Sequence, residues 1–323
     1  MRLERISQEH VVAAIAVVLF VSFALTLPGF TSVGNIVSLI QSVSILGILG
    51  VGMAISIIGR GIDLSMVSIM VMSVGWAFQL VNGGMPVTSS VLLAIGFILL
   101  VGIANGILIA YVEIPAIFAT LAMGTVVYGV GRTWMVDLDV VYLPAQGGWL
   151  WALGQGRLFG IPAPVIVFGV VSAVVYLFLR YTKWGRFLYG AGDNPLAARI
   201  TGLPTRPLIV LQYVMTASLA MIAGFVMATA VSSMNTRVAL STLVYDVILV
   251  VVLGGVGLAG GKGGVRNVIV GTLLIGVLLN GMTIMNLGYT AQNMFKSLIL
   301  LAAIVIDQIL NPRDEQTAQS GDI

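Results

Sequence analysis

Few side chains in this 323-residue chain could do chemistry. The ionisable groups in or beside apolar runs are Asp63, three residues from Arg60 in GRGIDLS, together with Glu113, Asp246, Lys296 and Asp307. A charge at membrane depth costs about 2.5–3.5 kcal/mol and usually faces a cavity or a partner. Most of these groups instead stand within a turn or two of a predicted helix end, where a long side chain can reach water. The single histidine, His10, has only Glu9 beside it, which is not a ligand set, so no metal site is expected. There is no cysteine, and no His pair or carboxylate cluster that would support acid–base work, so no catalytic residue is assigned and the chain reads as a non-enzyme.

Two glycine-rich stretches imitate nucleotide sites. Residues 255–260, GVGLAG, match the dinucleotide fingerprint in form, but an apolar span precedes them and IGVLLN stands where an acidic residue is needed. GGKGG at 260–264 lacks the first glycine of a phosphate loop, because Val256 stands there, and Gly263 follows Lys262 in place of Ser or Thr. The chain therefore carries no cofactor site of its own, and any ATP and magnesium belong to another subunit.

The elements that hold these residues are membrane helices. Hydrophobic residues make up 59% of the chain and charged ones only 8%, with a mean hydropathy of +1.09. Soluble domains carry about 25% charged residues. The fold class is an all-α polytopic membrane protein in a single domain over 1–323, embedded in lipid and without a nucleic-acid partner. Apolar runs long enough to span lipid lie near 10–28, 36–58, 65–82, 88–111, 116–136, 163–180, 207–232, 240–259, 265–286 and 290–310, about ten in all. The first has no clear cleavage site and reads as a retained anchor.

Charge placement sets the orientation. With the N-terminus inside, eleven basic residues fall on the cytoplasmic side: Arg2, Arg5, Arg60, Arg180, Lys183, Arg186, Arg199, Arg206, Lys262, Arg266 and Arg313. Only Arg132, Arg157 and Arg237 fall outside. Short cytoplasmic loops collect Lys and Arg, so both termini, including the tail 311–323, are expected in the cytoplasm. The longest external loop, about 137–162, is rich in Trp, Tyr, Gly and Pro and suits the membrane interface or an external partner. SIIGRGIDLSMVSIM (56–70) and VVVLGGVGLAGGKGGVRNVIV (250–270) form a weak echo. Each reads as a glycine-rich break after the first helix of a four-helix set, spans 2–5 and 7–10.

The polar stretch 180–207, RYTKWGRFLYGAGDNPLAARITGLPTRP, interrupts this pattern. Asp193 or Asn194 can cap a helix, Pro195 suits its first turn, and Gly202 is a natural stop. A helix of about two turns over 194–201 follows, with Ala197 and Ala198 small enough for a surface to approach. Topology alone needs charges and no caps, which favours a docking element in the loop 181–206.

Here the chain resembles the permease subunits of the ribose-type ABC importers, over nearly its whole length. GRGIDLSMVS (59–68), EIPAIFATLAM (113–123), TKWGRFLYGAGDNPLAARITGL (182–203) and VVVLGGVGLAGGKGGV (250–265) are similar to the family's motifs, in order. Five positions depart from it: Arg60 and Val67 stand where glycine is usual, Val244 where an acidic residue commonly precedes Asp246 by two, and Val256 and Gly257 in place of a Thr-Ser pair. The resemblance implies a pathway for a monosaccharide or small polyol in the bacterial inner membrane. It also implies a second permease subunit, a cytoplasmic ATP-binding cassette subunit and an external sugar-binding protein. The capped helix would be the coupling element, with Gly190, Asp193, Asn194, Ala197, Ala198, Arg199 and Gly202 as its residues. Asp63, Ser65, Asn105, Thr120, Asp246 and Asn280 are candidates to line the pathway, each equally able to serve as an interhelical hydrogen bond. The alternative is a secondary transporter driven by an ion gradient.

Overall fold

The computed structural model describes residues 8–145 and 147–310, so Arg2, Arg5, Arg313 and the tail 311–323 lie outside the described residues. Each of the ten apolar runs contains a helix. These are α1 (Gln8–Thr26), α2 (Val33–Ile58), α3 (Met66–Asn82), α4 (Val87–Ala110) and α5 (Ala116–Val130), then, past the short α6 (Leu150–Gln155), α7 (Ala163–Tyr181). After α8 (Lys183–Asp193) and α9 (Pro195–Ile200) come α10 (Thr205–Ala230), α11 (Leu243–Gly254), α12 (Val265–Ile284) and α13 (Tyr289–Leu310). Seven of them are long and apolar enough to cross a membrane: α1, α2, α4, α5 with the π-helical turn Gly131–Met135 that continues it, α7, α10 and α12. The apolar parts of α3, α11 and α13 are shorter.

Of these seven, α2 and α10 are the most enclosed, and α10 packs along α2, α3 and α4. The closest of these contacts depends on glycine. A Cβ at Gly102 or Gly106 of α4 would strike the backbone of Val214 or Val210 of α10, the four-residue spacing of small residues that lets membrane helices touch. Helix α1 lies against α12, and its Gln8 Nε2 donates to the carbonyls of Val252 and Leu253 near the end of α11 at 3.4 Å. The carboxamides of Asn35 in α2 and Asn280 in α12 exchange two hydrogen bonds, 2.9 and 2.8 Å.

Three expectations need correction. The fold is not purely helical: residues 140–142 pair antiparallel with 233–235, and 157–158 pair with 161–162 across a tight turn at Phe159 and Gly160, both left-handed. Helix α11 is shorter than the run 240–259, since Thr236–Leu240 forms a 3₁₀ turn and Gly255, at φ +99°, ends the helix. The two glycine-rich breaks do not hold corresponding places either. Residues 59–65 follow α2, the first helix of its set, whereas 255–264 follow α11, the second.

The element order gathers Arg60, Arg180, Lys183, Arg186, Arg199, Arg206, Lys262 and Arg266 at one end of the bundle. Arg132, Arg157 and Arg237 belong to the other end, where Asp139 accepts from Arg132 at 3.0 Å and from Arg237 at 2.6 Å.

Candidate functional site

At the basic end, residues 182–203 build two helices rather than one helix and a loop. Thr182 caps α8 by accepting from the Gly185 amide at 3.0 Å. Gly185, Leu188 and Gly192 recur at helical spacing, form the buried face of α8, and leave Lys183, Trp184 and Arg186 outward. Pro195 forces the residue before it out of the helical region, and Asn194 accordingly sits at φ −142°, ψ 97°. It ends α8 and caps α9, its side chain accepting from the Ala197 amide at 3.0 Å. Gly202, at φ +78°, stops α9 in the left-handed turn that glycine adopts most cheaply.

The exposed face of α9 is partly apolar. Ile200 is 86% exposed and Leu196 49%, four residues apart, with Ala197 and Arg199 beside them and Asp193 and Asn194 at the open end. Ala198 faces the other way and is only 3% exposed, so it anchors α9 to the bundle and offers nothing to a partner. Sequence reasoning assigned Ala198 outward because it counted small residues without the phase of the helix.

Behind α9 the two glycine-rich breaks meet. The Ile58 carbonyl at the end of α2 accepts from the Gly261 amide at 2.9 Å. A Cβ on Gly192 would collide with that same carbonyl, and one on Gly261 with the backbone of Asp193. Tyr189 of α8 donates to the Gly263 carbonyl at 2.7 Å, and burial pushes its phenol above the usual value, which keeps it a donor. One short element therefore touches both interrupted regions within a few residues.

The 59–65 break is closed by a buried polar knot. Asp63 accepts from the Ser65 amide (3.0 Å), the Ser65 hydroxyl (2.6 Å) and Thr216 of α10 (2.7 Å). Asn105 of α4 donates to Ser65 at 2.8 Å. Thr120 of α5 donates to the Ile62 carbonyl and accepts from the Leu64 amide at 3.1 Å. The main chain of a broken helix cannot satisfy itself in an apolar bundle, and these side chains do it instead.

At the opposite end a cavity of about 510 Å³ opens between α2, α10, α11, α12 and α13. Asp246 and Asn280 line it with Lys296, Tyr289, Gln292 and Ser42. Lys296 Nζ donates to Asp246 Oδ2 at 2.8 Å, and both side chains are nearly buried. The volume is in the range of small-molecule sites.

These features coincide with a sequence family. Residues 35–306 match the permease component of branched-chain amino acid transport systems. The chain belongs to this family. Among the curated relatives, the ribose import permease protein of Escherichia coli K12 is 30% identical over 91% of this chain and 92% of its own length. The L-arabinose transport system permease protein of the same strain is 29% identical over 94% and 92%. The fructose import permease protein of Rhizobium meliloti is 28% identical over 91% and 83%. No solved structure matches the chain.

Within this multi-pass membrane permease the sequence-derived residues separate into three places. Gly190, Asp193, Asn194, Ala197, Ala198, Arg199 and Gly202 lie together on α8, α9 and the turn after it. Asp63, Ser65, Asn105 and Thr120 form the knot and are fully enclosed; Ser65 joins Asp63 to Asn105, and Thr120 bonds the main chain beside them. Asp246 and Asn280 lie apart from both and share the larger cavity. Sequence reasoning missed α8 as a helix, the apolar pair Leu196 and Ile200, and the Asp246–Lys296 pair. The 185–188–192 spacing was the available signal for α8. Nothing in sequence order joins residues 50 positions apart.

Proposed function

We propose that this permease is the membrane subunit of an ATP-driven importer in the bacterial inner membrane, carrying a monosaccharide or related small polyol. The exposed face of α9 carries this reading, since α9 rises from a junction that joins both helix breaks while the chain has no nucleotide motif. The names of the relatives, which are ribose, arabinose and fructose permeases, support the solute class. Ten spans with both termini and α9 in the cytoplasm agree with the distribution of Arg and Lys. An ATP-binding cassette subunit, holding ATP and magnesium, would seat Leu196 and Ile200 in a groove, with Asp193, Asn194 and Arg199 at the rim. A second permease subunit and an external sugar-binding protein complete the assembly.

The solute path runs through the cavity at the opposite end, where Asp246, Asn280, Tyr289 and Gln292 offer hydrogen-bonding groups for hydroxyls. Asp63, Ser65, Asn105 and Thr120 hold the broken segment together and do not line the path. The Asp246–Lys296 pair in the cavity also suits a proton-coupled transporter, the second reading.

Co-purification with the neighbouring ATPase subunit tests the first. Ile200→Asp alters an exposed side chain and should abolish ATPase retention and ATP-driven uptake while leaving the permease folded. Retention and uptake at wild-type levels would remove α9 from the coupling role. Uptake by the permease alone, abolished by an uncoupler, would establish the gradient-driven alternative.

A further inference from the structure

A second pocket, of about 290 Å³, lies at the basic end, where α1 and α12 begin and α7 ends. The ends of membrane helices stand at the level of the lipid headgroups. Arg180 of α7 and Arg266 of α12 line the pocket, with Glu9 of α1, Tyr176 of α7, Tyr189 of α8 and Asn267 of α12.

The two arginines turn to one place and lack a counter-charge. Arg266 lies over the ring of Tyr176, 5.8 Å from its centroid, and Tyr176 stands one turn before Arg180 on the same face of α7. Neither guanidinium forms an ion pair with a described carboxylate, Glu9 included. Two guanidinium groups against one carboxylate leave a single net positive charge. Deeper along the same helices, Val11 and Ile15 of α1 and Val174 and Leu177 of α7 are exposed, an apolar surface for acyl chains.

We propose that this pocket binds the headgroup of an anionic phospholipid whose phosphodiester carries a neutral polyol, as in phosphatidylglycerol. Basic pockets between membrane helices suit such headgroups. Arg180 and Arg266 grip the phosphodiester oxygens, to which guanidinium forks are matched, and a glycerol hydroxyl donates to Glu9. The single negative charge of this lipid balances the site, whereas a zwitterionic lipid leaves it positive. Tyr189 donates to the Gly263 carbonyl at 2.7 Å, so the headgroup borders the junction behind α9.

Native mass spectrometry of the detergent-purified full chain, equilibrated with equimolar phosphatidylglycerol, phosphatidylethanolamine and phosphatidylcholine, tests this. Neither ATPase nor solute is present, so the outcome is independent of the import reading. Phosphatidylglycerol should be retained about tenfold over either zwitterionic lipid. R180Q and R266Q should each reduce that retention about fivefold, with thermal unfolding still cooperative. R186Q, which alters an outward arginine of α8 beyond the pocket, should leave it unchanged. Equal retention of the three lipids by the wild type would overturn the proposal, as would wild-type retention in both pocket variants. A loss in R186Q equal to that in R180Q would reduce the effect to general attraction by the basic end and overturn the site. Displacement of the lipid by an equimolar amount of its deacylated headgroup, glycerophosphoglycerol, would assign the pocket to a soluble phosphodiester and overturn the lipid.

Discussion

Lys296 and Asp246 illustrate how a charge is kept inside an apolar bundle. Alone, each would carry a desolvation cost; at 2.8 Å they neutralise one another beside a cavity. Removing one partner of such a pair leaves an uncompensated charge and costs about 3–5 kcal/mol, whereas removing both costs less. Lys296→Met should therefore lower the unfolding temperature of the detergent-purified permease more than the Asp246→Asn, Lys296→Met double variant does. Equal losses would show that the two side chains act independently. Neither partner was assigned to the other from sequence, because hydropathy shows only that a charge is near a helix end. The same blindness applied to Asp63: its place three residues from Arg60 was noted, but its partner Thr216 lies 153 residues away.

At the scale of the element, the α8–α9 turn is held by local chemistry, so much of it was legible. Asn194, Pro195 and Gly202 act within a few residues of themselves, and they fixed the limits of α9 closely. Loss of a capping side chain costs about 1 kcal/mol, so Asn194→Ala should fray α9 and weaken ATPase retention without unfolding the bundle. Electron paramagnetic resonance of a label at position 200 would register the fraying as faster motion. Gly192→Val should act differently. Its side chain would meet the Ile58 carbonyl and separate α8 from both breaks, so uptake should fall while α9 itself stays helical. A label at position 200 with unchanged mobility but lost uptake would identify the junction as the transmitting part. The orientation of Ala198 was not legible, since phase within a six-residue helix depends on which face the bundle covers.

Across the whole molecule, the apolar runs were legible because lipid imposes a length and a composition on any helix that crosses it. The short strands were not, since segments of two or three residues carry too little alternation to read. The absence of cysteine permits a direct check of the proposed orientation. Phe159, 95% exposed at its hairpin tip, and Ile200 can each be replaced by Cys with little disturbance. In intact spheroplasts an impermeant maleimide should label Phe159→Cys, whereas Ile200→Cys should react only after lysis. Labelling of both from outside would invert or collapse the ten-span arrangement.

The paired carboxamides of Asn35 and Asn280 impose a timetable on biosynthesis. The two residues are 245 positions apart, and Gln8 waits equally long for Val252 and Leu253. Ribosomes add about 5–20 residues per second, so α2 spends about 12–50 s in the bilayer before its partner is made. Throughout that interval α1 and α2 present polar groups to whatever surrounds them. The last third of the chain, on arrival, completes the packing of the first two helices, so a nascent chain truncated before α12 leaves α1 without its main packing partner and Asn35 without Asn280, open to quality-control proteolysis.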